Sequence, residues 1–435
     1  MNIFNRSILA YRVFRSYLSR IRSLLLYYTV ESYIIKKQQA LNRQLEKKIQ
    51  GKKLVNVCFF VLDSSIWKYD SLYFLMEKST QFNPVLLITP YMTFSESERM
   101  EKMNATYNYF KNKGYRVIHS YNNKKEQWLD VMSEISPDII FYTNPYHAIN
   151  KKEYYIRHLS RILSCYISYG YMMETYRWEY DLLFHNLLWL QFSESEVNHN
   201  ISKCLMRIGG RNNIVTGYPF YDLFCGRTNY NNVWKNLKNG HKKIIWAPHH
   251  SIEYNGISTF FLYADVMLEL AEKYKDKLQI AFKPHPLLLQ KLYNWPEWGK
   301  ERADSYYNKW MSLANCQYES GDYVDLFLGS DAMIHDSMSF TVEYIYTLKP
   351  VLYLDRKNSV DQRGLLDYNQ VGVEAYRSHY HAYDLGGIYD FLNDVVLKGN
   401  DPLYMKRNDF FTKHLRPLNG CSVAENIMSI LCSYL

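Results

Sequence analysis

This chain has no cysteine pairs at metal or redox spacing. Its seven cysteines (Cys58, Cys165, Cys204, Cys225, Cys316, Cys421, Cys432) are scattered, odd in number and never C-x-x-C. That pattern argues against a disulfide framework or a zinc site and for reduced thiols in a cytoplasmic protein. No apolar run approaches the ~20 residues of a membrane-spanning helix. The longest uncharged stretch near the start, residues 23–30, is too short for a secretion signal and has no small-residue cleavage site. The 18 glycines and 12 prolines are too few for a collagen-like or low-complexity chain. Neither G-x-G-x-x-G after a strand nor G-x-x-x-x-G-K-[ST] occurs, so dinucleotide oxidoreductases and P-loop NTPases lose their main support.

What is present is a chain built to fold. Apolar residues are 47% of its 435 positions, which excludes wholesale disorder and fits two domains plus appendages. Tyrosine, at 42 copies, suits half-buried surfaces that need an apolar body and a polar tip. Charge is unevenly placed. Residues 1–53 hold 12 Lys/Arg against two acids, whereas the rest holds 40 against 41. The body is therefore neutral, and the chain is not expected to bind nucleic acid.

In the basic segment, Phe4, Ile8, Tyr11, Phe14, Leu18, Ile21, Leu25 and Tyr28 recur at helical steps. Two readings stay open. Residues 1–50 lie on an anionic membrane surface with arginines reaching the headgroups, or the helix docks on the body. Residues 36–53 read as a solvated Lys/Gln-rich linker.

From residue 54 short apolar strands alternate with helices. Strands are expected at 54–62, 85–89, 115–119, 138–142, 165–169, 187–192 and 214–216, and helices at 66–78, 95–113, 124–135 and 151–163. An Asn-rich segment, 226–241, reads as a linker. Strands then resume at 243–247, 278–283, 331–335 and 351–354, with helices at 257–274, near 323–329 and at 339–348. The expected organisation is an appendage (1–53), an α/β domain (54–225), the linker, a second α/β domain (242–403) and a helical tail (404–435) packing back near the linker. Alternation of this kind implies two parallel sheets, with ligand at the carboxyl ends of the strands.

Three clusters of the second domain sit at such strand ends. Ala247-Pro248-His249-His250 places two histidines after a stiffening proline. Lys283-Pro284-His285-Pro286 restricts the direction of an imidazole beside a fixed positive charge. His335-Asp336-Ser337-Met338-Ser339-Phe340-Thr341-Val342-Glu343 turns a strand into a helix whose first turn carries hydroxyls, an anion-binding arrangement. Glu343 is placed to accept from ribose hydroxyls. Adjacent histidines diverge on a strand, so no metal site is expected at His249 and His250. Together the clusters describe a pocket for a nucleotide diphosphate held by His, Lys and helix amides, with no cofactor.

At these segments the chain resembles the CDP-glycerol glycerophosphotransferase family, the teichoic-acid polymerases and their capsule-cluster relatives. The resemblance spans about residues 54–430 and rests on Ala247-Pro248, Lys283-Pro284-His285-Pro286, Asp336-Ser337-Met338-Ser339 with Glu343, and Lys349-Pro350. It implies a GT-B-like fold, two Rossmann-like domains facing across a cleft. It also implies that His285, Ser337, Ser339 and Glu343 line a CDP site, that His285 stabilises charge on the departing CMP phosphate, and that the protein is peripheral at the inner face of the cell membrane.

The sequence departs from the family at one place. Where the polymerases carry a His-Gly pair bearing the base, this chain has Ser168-Tyr169-Gly170. Free tyrosine, with a pKa near ~10, is a poor base at neutral pH. His185, His249, His250 and Asp63 are the other candidates for the role.

The expected activity is transfer of glycerol phosphate, or a related alditol phosphate, from a CDP-activated donor to a glycan or lipid-linked acceptor. Catalysis is assigned to His285, His250 and Tyr169, and substrate binding to Lys283, His249, Asp336, Ser337, Ser339, Phe340, Glu343 and Asp63. A GT-B glycosyltransferase using a CMP- or UDP-sugar, and a non-catalytic membrane-docked nucleotide-binding assembly protein, share the same fold as alternatives.

Overall fold

The computed structural model describes residues 25–225, 230–235, 240–254, 256–321, 323–356, 367–417 and 419–435, with Arg15, Leu18, Ser19 and Arg22. Most of the apolar stripe expected over residues 4–28 lies outside the described residues.

Two parallel sheets organise the chain. The first comprises β1 (Val55–Val61), β2 (Phe82–Ile88), β3 (Val117–His119), β4 (Ile139–Tyr142), β5 (Leu163–Ile167), β6 (Leu190–Ser193) and β7 (Asn213–Val215), in the order β3-β2-β1-β4-β5-β6-β7. The second comprises β8 (Lys242–Ala247), β9 (Leu278–Phe282), β10 (Cys316–Tyr318), β11 (Ala332–His335), β12 (Val351–Leu354) and β13 (Tyr380–Ala382), in the order β10-β9-β8-β11-β12-β13. Each order reverses beside its first strand, and the crevice at that reversal is where open α/β sheets take ligands. The strands are nearly continuous apolar runs because helices cover both faces. Val55, Val57, Phe59 and Val61 face one core, and Cys58 and Phe60 the other. The fold class expected from sequence, two parallel-sheet α/β domains of GT-B-like form, is the one observed.

The structure corrects several local readings. Residues 36–53 are not a solvated linker. They belong largely to helix α1 (Ser32–Ile49), which is docked on the first domain through Ile35, Gln38, Asn42 and Ile49. The side-chain amides of Gln38 and Asn42 donate to the carbonyls of Ser160 and Leu187, so polar residues that read as solvent-facing carry the docking. Of the helix expected at 124–135 only a π-helical turn forms, Val131–Ile135, capped by Asp130. Positive φ at Glu126 reverses the chain, and Tyr121 packs on Trp128 across a short antiparallel pair. Residues 151–163 hold only a short turn before β5. The Trp-rich stretch after β9 forms two helices, Leu288–Tyr293 and Gly299–Ser312.

In the 226–241 segment, Trp234 is buried and packs where a Cβ on Gly329 would lie 2.9 Å from its ring, so only glycine fits there. Helix α2 (Phe260–Lys273) covers the second sheet. Helix α3 (Met338–Glu343) follows β11. Helix α4 (Val423–Cys432) returns to the first domain, where Val423, Ala424, Ile427 and Leu431 join its core. The carboxylate of Asp222 accepts the N–H groups of Val423 and Ala424, tying down the start of α4. All seven cysteines are free, with Cys58, Cys165 and Cys316 buried. Among the described residues no helix is long and apolar enough to cross a membrane.

Candidate functional site in the interdomain cleft

Register aligns the second-domain clusters. Trp246 pairs with Phe282 and Ala247 with His335, so β8, β9 and β11 end at one level. The exits are then tied together. The N–H of His285 donates to the carbonyl of Pro248 at 3.0 Å, bringing the two proline-stiffened turns into contact. Asp336 is buried, and its carboxylate accepts the N–H of His249 at 2.6 Å and the N–H and hydroxyl of Thr259, the residue just before α2. It binds three segments into one frame, although its own carboxyl does not face the cleft.

That frame gathers His249, His250 and His285. The ring centroids lie 4.3 Å apart for His249–His250, 4.1 Å for His250–His285 and 5.3 Å for His249–His285. The expected divergence of the adjacent histidines fails because both lie past the strand, where the turn after Pro248 aims both rings the same way. One nitrogen from each imidazole lies within 4.8 Å of the others, a spacing that a metal ion fits.

The tautomers decide what this cluster presents. Nδ1 of His249 accepts the N–H of Ser251 at 3.1 Å, and Nδ1 of His285 accepts the N–H of Leu287 at 3.1 Å. An Nδ1 that accepts leaves the proton on Nε2, so both rings offer N–H donors and not metal-ligating lone pairs. Burial, then His250 and Lys291, pushes His249 down to about 3. Burial, then His250 and His249, pushes His285 down to about 2. Burial also lowers His250. The imidazoles are therefore neutral donors suited to an anion.

One cavity of about 290 Å³ joins the two domains. It is bounded by His249, His250, His285, Ser337, Met338 and Ser339 on one side, and by residues 168–174, Glu179, His185 and Glu194 on the other. Ser337 precedes α3, but its hydroxyl makes no capping hydrogen bond and is available to a ligand. Across the cavity, Tyr169 leaves the end of β5. Burial, then Tyr146, raises its phenol, so it stays protonated at neutral pH and acts as a donor. His185 also lines the cavity, fully buried and pushed down to about 4 by burial.

Of the residues singled out in the sequence, His185, His249, His250, His285, Ser337, Ser339 and Tyr169 meet at this cavity, and six others lie off its walls. Besides Asp336, Lys283 is buried with its ammonium 5.7 Å from the Tyr323 ring centroid. Phe340 packs on Tyr323 and Phe327. Glu343 is buried, accepting from Tyr218 at 2.8 Å and Tyr323 at 2.6 Å. In this structure both its oxygens are occupied by tyrosine hydroxyls, where ribose was expected. Asp63 follows β1 and caps the turn Ser64–Ile66, its carboxylate accepting the N–H of Ser65 at 2.8 Å. Lys349 of the Lys-Pro pair donates to the carbonyls of Phe327 and Leu328, closing the end of a helix.

Three glutamates on the opposite wall escaped the sequence reading. Burial, then the charge of Glu174, raises Glu179; burial, with the charge of Asp367, raises Glu174; and burial pushes Glu194 up to about 7. The available signal was Glu194 directly after β6, the same strand-end position that marked the histidines.

Residues 174–371 match the family described as CDP-Glycerol:Poly(glycerophosphate) glycerophosphotransferase, the family that the motifs resemble. No curated protein matches the chain by sequence. Among solved structures, the wall teichoic acid polymerase TagF is 15% identical over 97% of each chain, with a TM-score of 0.58. UDP-GlcNAc 2-epimerase from Neisseria meningitidis is 14% identical over 87% of this chain and 100% of that one, with a TM-score of 0.52. MnaA from S. aureus, solved with UDP, is 14% identical over 88% and 96%, with a TM-score of 0.51. At such identities the likeness shows a shared fold.

Proposed function

We propose that this chain, matched to the glycerophosphotransferase family over residues 174–371, moves glycerol phosphate or a related alditol phosphate from a CDP-activated donor to a hydroxyl of a glycan or lipid-linked acceptor in cell-surface polymer synthesis. The observation that carries the reading is convergence. His249, His250, His285, Ser337 and Ser339 meet at the carboxyl ends of β8, β9 and β11 and face the other domain across one cavity. The acceptor oxygen attacks the donor phosphorus, the P–O bond to CMP breaks, and CMP leaves. Neutral imidazole N–H groups and serine hydroxyls meet the charge that grows on the departing phosphate. Fixed donors in a water-poor cleft do this without reorganising during the reaction.

Incubation with CDP-glycerol, CDP-ribitol, a CMP-sugar and UDP-GlcNAc, read by nucleotide release, tests the assignment. CMP release from a CDP-alditol alone is expected. Release from a sugar nucleotide alone assigns the site to glycosyl transfer, and binding without release from any donor assigns it to an assembly role. The same reading places the chain at the inner face of the membrane, supported by the net basicity of residues 1–53 and by exposed Leu18, Leu25, Tyr28, Val30 and Tyr33.

A further inference from the structure

We infer that Glu179, held against Glu174 on the first-domain wall, takes the proton from the acceptor hydroxyl. The inference rests on the transferase reading above and supplies the base that Tyr169 does not.

The geometry comes first. Both glutamates line the cavity that holds the three imidazoles and Ser337. Glu179 sits on the short helix Arg177–Tyr180. Glu174 is fixed by a backbone bridge to Tyr368 of the second domain and by the Tyr180 hydroxyl, which donates to its carbonyl at 3.0 Å. The two carboxyls lie close enough for Glu174 to raise Glu179, while Oε2 of Glu179 is buried with no hydrogen-bond partner. Neighbouring carboxyls resist carrying two charges at once, because adjacent negative charges repel strongly in a dry site. The pair then carries one charge, and Glu179 at the cavity wall keeps one oxygen without a partner. The groups facing it are Tyr146, Tyr169, Tyr176 and Tyr180, with Asp367 from the second domain. None is a cation, so the pair stays basic. Arg177 on the same helix is paired with Asp181.

A second observation points to a ligand at this wall. The Tyr171 hydroxyl and Oε1 of Glu194, on side chains 4% and 6% exposed, also line the cavity and also have no partner. Buried polar atoms are rarely left unpaired, and several unpaired around one cavity fit an occupant rich in hydroxyls. An alditol chain or glycan end supplies those groups.

The step balances without a metal or a further reactant. Glu179 Oε2 takes the acceptor proton, the freed oxygen bonds to phosphorus, and the electron pair of the broken P–O bond leaves with CMP. The pair then returns its proton to solvent. General-base catalysis is worth about 10²–10⁴-fold.

The test uses the full chain, CDP-glycerol and a short poly(glycerol phosphate) oligomer, with CMP release and calorimetric CDP-glycerol binding as readouts. Glu179→Gln is expected to lower kcat at least about 10²-fold, keep CDP-glycerol affinity, and lose the acid limb of the pH profile. Should that variant fail to fold, Glu174→Gln serves in its place. By removing the neighbour that raises Glu179, it moves the acid limb to lower pH. Glu179→Gln turning over near the wild-type rate overturns the inference. So does loss of the acid limb in Glu194→Gln while Glu179→Gln keeps it, or an unmoved limb in Glu174→Gln. A wild-type chain that neither binds CDP-glycerol nor releases CMP overturns the transferase reading itself, and the inference with it.

Discussion

Nδ1 of His285 accepts the backbone N–H of Leu287, two residues further on, at 3.1 Å. That bond, repeated at His249 with Ser251 and at His335 with Ser337, fixes which ring nitrogen carries the proton. His285 can therefore donate to a phosphate while neutral. His285→Ala is expected to reduce kcat by at least about 10²-fold with the fold intact by circular dichroism. His285→Gln, whose amide reaches a similar place, should lose less. Near-wild-type turnover in the alanine variant would remove His285 from the mechanism.

The same tautomers predict indifference to metal. Chelator treatment should leave CMP release unchanged, and added zinc should inhibit, since ligation at Nε2 must break both backbone bonds. Loss of activity with EDTA and recovery with zinc would show that the cluster is a metal centre.

Buried neutral imidazoles link stability to pH. The unfolded chain protonates His285 below about pH 6.5, while the folded chain holds it neutral down to about 2. The unfolded state then binds more protons, so this residue's effect is a loss of stability as pH falls below 6.5. Buried carboxyls such as Glu194, pushed up to about 7, act in the opposite sense. The prediction is therefore a difference. Between pH 7.5 and 5, His285→Gln should lose less unfolding free energy than wild type in urea titrations.

Ser337 and Ser339 offer hydroxyls that hold no structural bond at the start of α3. A hydrogen bond to a charged group is worth about 1.5–3 kcal/mol. Ser337→Ala and Ser339→Ala should each raise the KM for donor about 10-fold or more while leaving thermal stability unchanged. An equal KM in both variants would detach the serines from the donor.

The basic segment should be cut before α1, not after it. Removal of residues 1–24 is expected to release the protein from anionic liposomes and leave CMP release from CDP-glycerol intact when a soluble acceptor is supplied. Removal of residues 1–50 should unfold it, because α1 is part of the first-domain surface. Equal sedimentation of the 1–24 deletion and the full chain would refute a membrane role for that segment.

Much of this was legible because period and position carry different information. Apolar strands such as 351–354 and 243–247 stand out from sequence because a doubly covered sheet needs near-continuous hydrophobic runs. The donor-side cluster was legible because a strand end is a place, and His285, His249 and Ser337 each follow one. What stayed hidden depends on partners far along the chain. Gln38 and Asn42 read as solvent-facing until Ser160 and Leu187 offer them carbonyls. Glu343 reads as a ribose ligand until Tyr218 and Tyr323, 125 and 20 residues away, take its oxygens. Glu174 and Glu179 look like ordinary surface acids, since only the fold buries them together.

The polypeptide passes between the lobes twice, once through the 226–241 segment and again on the way to α4, which locks into the first lobe through Val423 and Ile427. The first lobe is therefore completed by the end of the chain, so neither lobe can be separated from the other by a cut at a single peptide bond.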